Sequence, residues 1–228
     1  MRRFFGRLDD DNILIEGDDF VHLKSVLRLN VGEEVEVSVG DEYFYSCQIL
    51  ELKKNHAVCS VIEKTVCKAN PKIEVAVFMA TPKGDKAELV LQKITELGVS
   101  KFILFDSDFA FKKGFNTERL TKITREACKQ CGRSSPVGIS GVLKFSDMLK
   151  QLNLYKQVIF ANEKGGAPLK EVKILDNIAI IVGAEGGFSV KEIEALEKLS
   201  NVKAVTLGKR ILRCETAAIA LSAYVSFI

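Results

Sequence analysis

The stretch Asn177-Ile-Ala-Ile-Ile-Val-Gly-Ala-Glu-Gly-Gly-Phe-Ser189 decides how the chain is read. Residues 178–182 are an unbroken apolar run, the pattern of a strand buried on both faces of a parallel sheet. The run empties into Gly183, Gly186 and Gly187, where backbone must bend tightly or approach a ligand closely. Ser189 with Glu192 three residues later has capping-box spacing, so a helix is predicted to begin at once. Ala204-Val-Thr-Leu-Gly-Lys-Arg-Ile-Leu-Arg-Cys-Glu-Thr-Ala-Ala218 repeats the pattern. It reads as a short strand, Gly208, a loop with Arg210 and Arg213, and an apolar helix opening at Glu215. Two strand ends that run into glycine loops and then helices predict a ligand crevice at the carboxyl edge of a sheet.

Working outward, the chain from Pro71 onward alternates strand and helix signals, as a parallel α/β layer fold requires. Strands are predicted at 73–79, 102–105 and 158–161, the last followed by the loop Asn162-Glu-Lys-Gly-Gly-Ala-Pro168. A helix over 84–97 carries Ala87, Val90, Leu91, Ile94 and Leu97 on one stripe and ends at Gly98. A second, capped by Asn116 and running to 132, would bury Leu120, Ile123, Ala127 and Cys131. Ala69-Asn70-Pro71 marks a linker, because Pro71 disfavours continuing either regular element. Residues 1–69 read instead as a small β domain, with strands at 13–15, 34–39, 43–52 and 57–64. Its one helix, over 18–29, would bury Phe20, Leu23, Val26 and Leu27. The expectation is therefore two domains, 1–69 and 70–228.

Composition sets the class. At 228 residues, 47% apolar and 28% charged, the chain can bury a substantial core and has the balance of a globular protein. No apolar run approaches the ~20 residues that span a bilayer. The basic start Met1-Arg-Arg-Phe-Phe soon meets Asp9-Asp-Asp11, which is no secretory leader, so the cytoplasm is expected. Six cysteines include Cys128-Lys-Gln-Cys131, but His22 and His56 are the only histidines and no second ligand pair accompanies it. We read those cysteines as small apolar residues of a helix and predict no metal.

Charge is uneven along the chain. Residues 1–70 hold 9 Lys+Arg against 13 Asp+Glu, net −4, and the remainder holds 24 against 17, net +7. A basic surface on the second part would suit an anionic partner such as RNA. Thr81-Pro-Lys-Gly-Asp-Lys86 follows a strand and offers Lys83 and Lys86, without the spacing of a phosphate-binding P-loop. No strand opens into Gly-x-Gly-x-x-Gly, so a dinucleotide fingerprint is absent. Arg119, Lys122, Arg125, Lys129 and Arg133 occupy the face opposite the second helix's apolar stripe, where they could follow a phosphate backbone. In the β domain the candidate RNA contacts are Arg2, Arg3, Lys24 and Arg28.

Gly183-Ala-Glu-Gly-Gly-Phe-Ser189 together with Leu207-Gly-Lys-Arg-Ile-Leu-Arg-Cys-Glu-Thr-Ala217 resembles the signature of the SPOUT RNA methyltransferases, and within them the RsmE family. Glu88-x-x-x-Gln-Lys-x-Thr-Glu-Leu-Gly-Val99, Glu126-Ala-x-x-Gln-x-Gly-Arg133 and His22-Leu-Lys-Ser-Val-Leu-Arg28 extend the resemblance over essentially the whole chain. Ala184 stands where the family usually has proline, with both flanking glycines and Glu185 in place. The resemblance implies an α/β fold: an N-terminal PUA-like small β-barrel, then a SPOUT domain with a C-terminal trefoil knot. Periodicity could not have indicated the knot, since general rules of chain topology argue against one. It implies methylation of N3 of one uridine in 16S ribosomal RNA, uridine 1498 in the family's usual numbering, with S-adenosylmethionine as donor. The donor pocket would then use Ala161, Asn162, Val182, Gly183, Glu185, Gly186, Leu207, Gly208, Ile211, Leu212 and Thr216.

Methyl transfer is an in-line displacement at a sulfonium carbon, so orientation carries much of the rate. The N3 proton of uridine must leave, and Arg213 could stabilise the resulting anion. Glu163, Glu185 or Glu215 could accept that proton or orient the arginine; Glu215 is assigned beside Arg213 as catalytic. Glu215 and Thr216 could equally cap the last helix, whose first turn they occupy. Arg210 could as well be a surface or interface charge. The last helix is apolar nearly all round from 216 to 227 and must be buried against its own domain or a second subunit, and the family pairs as homodimers through this region. The expected partners are 16S ribosomal RNA or the small ribosomal subunit and a second copy of the chain, with no membrane. Two other readings are a SPOUT enzyme acting on another base or a ribose hydroxyl, and an RNA-binding module without catalysis.

Overall fold

The computed structural model describes residues 2–112, 115–163 and 165–227; Lys164 of the loop after residue 161 lies outside them. The chain forms two compact units, residues 1–70 with 128–136, and residues 71–127 with 137–228.

The first unit is a six-stranded sheet, made by β1 (Arg3–Phe5), β2 (Arg7–Asp9), β3 (Asn12–Glu16), β4 (Glu34–Ser38), β5 (Tyr43–Leu52) and β6 (His56–Val66). Its order is β1-β4-β5-β6-β3-β2, antiparallel except where β1 joins β4. Alternate residues close the inside: Ile13 and Ile15, Val35 and Val37, Cys47 and Ile49, Ala57 and Cys59 are all inaccessible. The helix predicted over 18–29 is α1 (Gly17–Val21) followed by a π turn, His22–Val26, in which Leu27 N–H reaches the His22 carbonyl at 2.9 Å. The wider turn shifts the phase of the apolar stripe. Phe20 and Leu23 stay inside, Leu29 is drawn in, and Val26, expected inside, is 67% exposed. The short strands β1 and β2 escape periodicity because three residues are too few to show alternation.

The second unit is a seven-stranded sheet with helices on both faces. Its elements are β7 (Glu74–Ala80), α2 (Lys86–Glu96), β8 (Lys101–Phe105), α3 (Thr117–Cys131), β9 (Gly138–Leu143), α4 (Phe145–Leu152) and β10 (Gln157–Ala161). They are followed by β11 (Ala167–Pro168), β12 (Asn177–Val182), α5 (Val190–Glu197), β13 (Val202–Thr206) and α6 (Cys214–Ser226). All neighbours in the order β11-β13-β10-β12-β7-β8-β9 run parallel. The apolar run 178–182 is explained by this position: Ile178, Ile180 and Val182 meet α2 and α6 residues such as Leu91, Ile94, Ala218 and Leu221. Ala179 and Ile181 face the opposite layer, with Met148, Leu152 and Leu196. The strand β9 and helix α4 are absent from the sequence reading because Gly138, Ser140 and Gly141 on an edge strand look like loop.

Candidate active site

Three loops meet at the carboxyl ends of three adjacent strands. The segment after β10 (161–163), the one after β12 (182–188) and the one after β13 (206–213) enclose a cavity of about 530 Å³, whose wall is completed by Lys86, Cys214 and Ala217. That size is typical of a small-molecule site. The middle loop is a tight turn, closed by Gly187 N–H on the Ala184 carbonyl at 3.0 Å. Ala184 therefore closes this turn without the proline that the resemblance leads one to expect. A Cβ on Gly183 would stand 2.9 Å from the Gly187 carbonyl carbon and oxygen, and Gly187 itself has φ +71°, so the turn depends on both glycines. Phe188 anchors the loop below, stacked on Phe105 at 6.5 Å and edge-on to Phe160 at 6.0 Å. Ser189 and Glu192 form the predicted capping box reciprocally, which starts α5 directly behind the turn.

The electrostatics centre on a cation between two acids. Lys86 Nζ donates to Glu185 Oε1 at 2.7 Å and lies 3.6 Å from Glu215 Oε2. The Lys83 amide adds a bond to Glu185 at 3.2 Å. Glu185 raises the Lys86 ammonium above its ordinary range by that hydrogen bond, against some desolvation. Burial pushes the Glu185 carboxyl up, but the bonds from Lys86 and from backbone amides outweigh it and leave it below the ordinary range. Glu215 follows the same pattern, burial being outweighed by its own amide, the Cys214 thiol, Lys86 and Arg213. Cys214 Sγ donates to Glu215 Oε2 at 3.2 Å, and burial together with that carboxylate pushes the thiol up to about 12.

Of the donor-site residues named from the sequence, Ala161, Asn162, Val182, Gly183, Glu185, Gly186, Leu207, Gly208, Ile211 and Leu212 line the cavity, as do Glu163, Arg210 and Arg213. Thr216 does not: it is exposed on the first turn of α6. Neither Glu215 nor Thr216 caps that helix; the N-cap is Arg213, with no side-chain capping bond. Lys86, read as an RNA contact, is part of the cavity wall. Its position follows from β7 and β12 being neighbours, which places 81–86 beside the 182–188 loop and which local sequence does not reveal.

Among the RNA-contact candidates, Lys83 and Arg125 are exposed in the second unit and Arg2, Lys24 and Arg28 in the first. Arg3 is tied to Glu36 and lies 5.1 Å over the Phe44 ring. Arg133 is a correction: it is 3% exposed, inside the first unit. The helix stops at Cys131, and Gly132 at φ +83° turns the chain, so Arg133 leaves the stripe that helical spacing assigned to it. Lys129 is likewise committed to Asp19 at 2.9 Å and Arg119 to Glu88 at 2.7 Å. Cys128 is buried, and its thiol bonds the Ser135 carbonyl. Among the described residues no group of three His, Cys, Asp or Glu side chains is placed to hold a metal ion, and no helix is long and apolar enough to cross a membrane.

Residues 68–226 match the family model described as an RNA methyltransferase domain, and residues 15–62 match the RNA methyltransferase PUA domain. The chain is 34% identical to the ribosomal RNA small subunit methyltransferase E of Rickettsia conorii, over 96% of this chain and 91% of that protein. It is 32% identical to the protein of the same name from Bacillus subtilis, over 98% and 95%. A crystal structure of the Neisseria gonorrhoeae protein of that name, bound to S-adenosyl methionine, superposes with a TM-score of 0.86 at 24% identity, covering 98% of this chain and 96% of that one. At that identity the likeness concerns the fold: a PUA-like β unit followed by the SPOUT α/β layer.

Proposed function

The chain belongs to the ribosomal RNA small subunit methyltransferase E family, and on that premise we propose that it methylates N3 of one uridine in 16S ribosomal RNA, with S-adenosylmethionine as donor. The observation that carries the reading is the convergence of three strand-end loops on one cavity whose polar residues include Arg213, Lys86 and Glu185. The residues present fit the donor. Val182, Leu207 and Leu212 offer apolar walls, and the Gly183–Gly187 turn leaves backbone close enough to read a purine edge. When bound, S-adenosylmethionine supplies an electrophilic methyl group.

The chain's own residues have three tasks. Arg213 stands at the cavity wall as N-cap of α6, so its guanidinium and the positive end of the helix favour the same developing anion. Lys86, held between Glu185 and Glu215, adds a second fixed cation. Glu215, assigned as catalytic from the sequence, is held below the ordinary carboxylate range and acts in our reading by orienting Lys86 rather than by taking the N3 proton. Glu163, exposed at the cavity mouth, is the carboxylate left for that proton. The β unit contributes Arg2, Lys24 and Arg28, all exposed, as further RNA contacts. We read the protein as a cytoplasmic homodimer. Ile211 and Phe227 are each 80% exposed around α6, which suits a subunit contact, and a light-scattering mass near the 25.2 kDa of one chain would refute it.

The test is transfer of labelled methyl groups to unmodified small subunits, followed by reverse transcription. A methyl on N3 blocks the pairing edge, so label with one stop at a uridine supports the reading. Label without a stop assigns the enzyme another base position or a ribose hydroxyl. Failure to bind the donor would remove the reading altogether.

A further inference from the structure

We propose that Phe109 and Phe111 form a stacking platform for an unpaired nucleobase of the RNA substrate, beside the donor cavity. The inference rests on the chain acting on RNA. These two rings are 52% and 41% exposed, whereas Phe78, Phe102, Phe105 and Phe160 are wholly buried. They are not scattered apolar residues: with Ala110, Lys83, Lys86 and Glu185 they line one open cleft of about 530 Å³. Lys86 and Glu185 also belong to the wall of the donor cavity, so cleft and cavity share a partition.

The platform is held rigid from beneath. Phe111 N–H bonds the Thr81 carbonyl at 2.9 Å and Ala110 N–H the Ser107 carbonyl at 3.0 Å. Asp108 N–H bonds the Glu192 carboxylate at 3.0 Å, and Glu192 is only 4% exposed because it also caps α5. The Phe109 side chain lies across Gly186, where an added Cβ would come within 3.0 Å of it, so the glycine of the donor loop also seats the ring. The backbone that carries the two rings is thereby held by three hydrogen bonds, and Phe109 also rests on Gly186.

Charge decides which ligand. The cleft carries Lys83, whose side chain is exposed, and Lys112, also exposed, follows Phe111. The centre of a protein–protein contact is depleted of lysine, while sites for single-stranded nucleic acid pair aromatic faces with cations along the backbone. Chemistry at N3 also demands an unpaired strand, because that atom lies on the pairing edge, and extruded or neighbouring bases then need a surface to stack on.

The protein contains no tryptophan, so Phe109→Trp places a single tryptophan at the platform, which can be excited selectively over the four tyrosines. Its emission should be quenched by a short uridine-centred single-stranded RNA. Phe109→Ala should raise the KM for RNA by roughly tenfold or more, with Phe109→Ala/Phe111→Ala higher still, while S-adenosylmethionine affinity stays within about twofold. Phe109→Tyr should restore near-wild-type KM. Unchanged emission at RNA concentrations that saturate anisotropy, or an unchanged KM in the double variant, overturns the proposal. So does a fall of Phe109→Ala to half the wild-type mass in light scattering, which would make the rings a subunit contact. Quenching by RNA in a protein that methylates no small subunit would leave the platform standing and remove the catalytic reading instead.

Discussion

Lys86 Nζ sits 2.7 Å from Glu185 and 3.6 Å from Glu215, so a single ammonium ties the start of α2 to both the donor loop and the first turn of α6. Replacing it with methionine should lower the rate of methyl transfer by about ten- to hundredfold and, because the Lys86 and Glu215 side chains are only 23% and 14% exposed, should also lower thermal stability by leaving two carboxylates without their shared cation. The pH window follows from the signs. Glu185 and Glu215 lie below their unfolded carboxylate values, so their contribution is present above ~4.3 and is lost as pH falls through the folded values. Lys86 is raised, so its contribution is present below ~10.4 and is lost as pH rises through its folded value. Donor affinity measured by calorimetry should therefore be flat from about pH 5.5 to 9 in this respect. A step near neutrality that disappears in Lys86→Met would contradict the assignment.

Arg213→Ala should reduce kcat on small subunits by roughly a hundred- to a thousandfold, the range for loss of one preorganised anion-stabilising group. Donor binding should change by only a few fold, since the walls and the glycine turn remain. Parallel losses in donor affinity and kcat would mean that Arg213 holds the donor rather than the developing anion.

Gly183→Ala places a methyl group 2.9 Å from the Gly187 carbonyl, against backbone that cannot rotate away. The expected cost is about 1–3 kcal/mol, the range for overpacking, with donor binding lost before the fold is. Denaturant melts in the presence and absence of S-adenosylmethionine measure both. A variant as stable as the parent, with intact binding, would show that the turn can widen.

Cys214 lies on the cavity wall with its thiol pushed up to about 12 by burial and Glu215. It should stay unmodified by iodoacetamide at neutral pH in the native protein and react fully once unfolded. Peptide mapping after brief alkylation decides this. Native labelling at Cys214 would mean that the cavity opens enough to hydrate the sulfur.

Much of the cavity at the strand ends was legible in the sequence, because its signals are local. An apolar run of strand length, glycines where no side chain fits and Ser189 three residues before Glu192 each act within a few residues, and all survive in the fold. The same holds for the stripe of α2, in which Ala87, Val90, Leu91 and Ile94 are wholly buried. What only the tertiary structure decided is which segments become neighbours. Strand β12 lying between β7 and β10 brings Lys86 to Glu185 across 99 positions and puts Phe109 over Gly186. Likewise Arg133 and Lys129, four positions apart and so on one helical face in appearance, are withdrawn from the surface by Gly132 and by Asp19, 110 positions from Lys129. Periodicity records the face a residue occupies on its own element; the partner opposite that face is set by the order of strands and by where the helix ends.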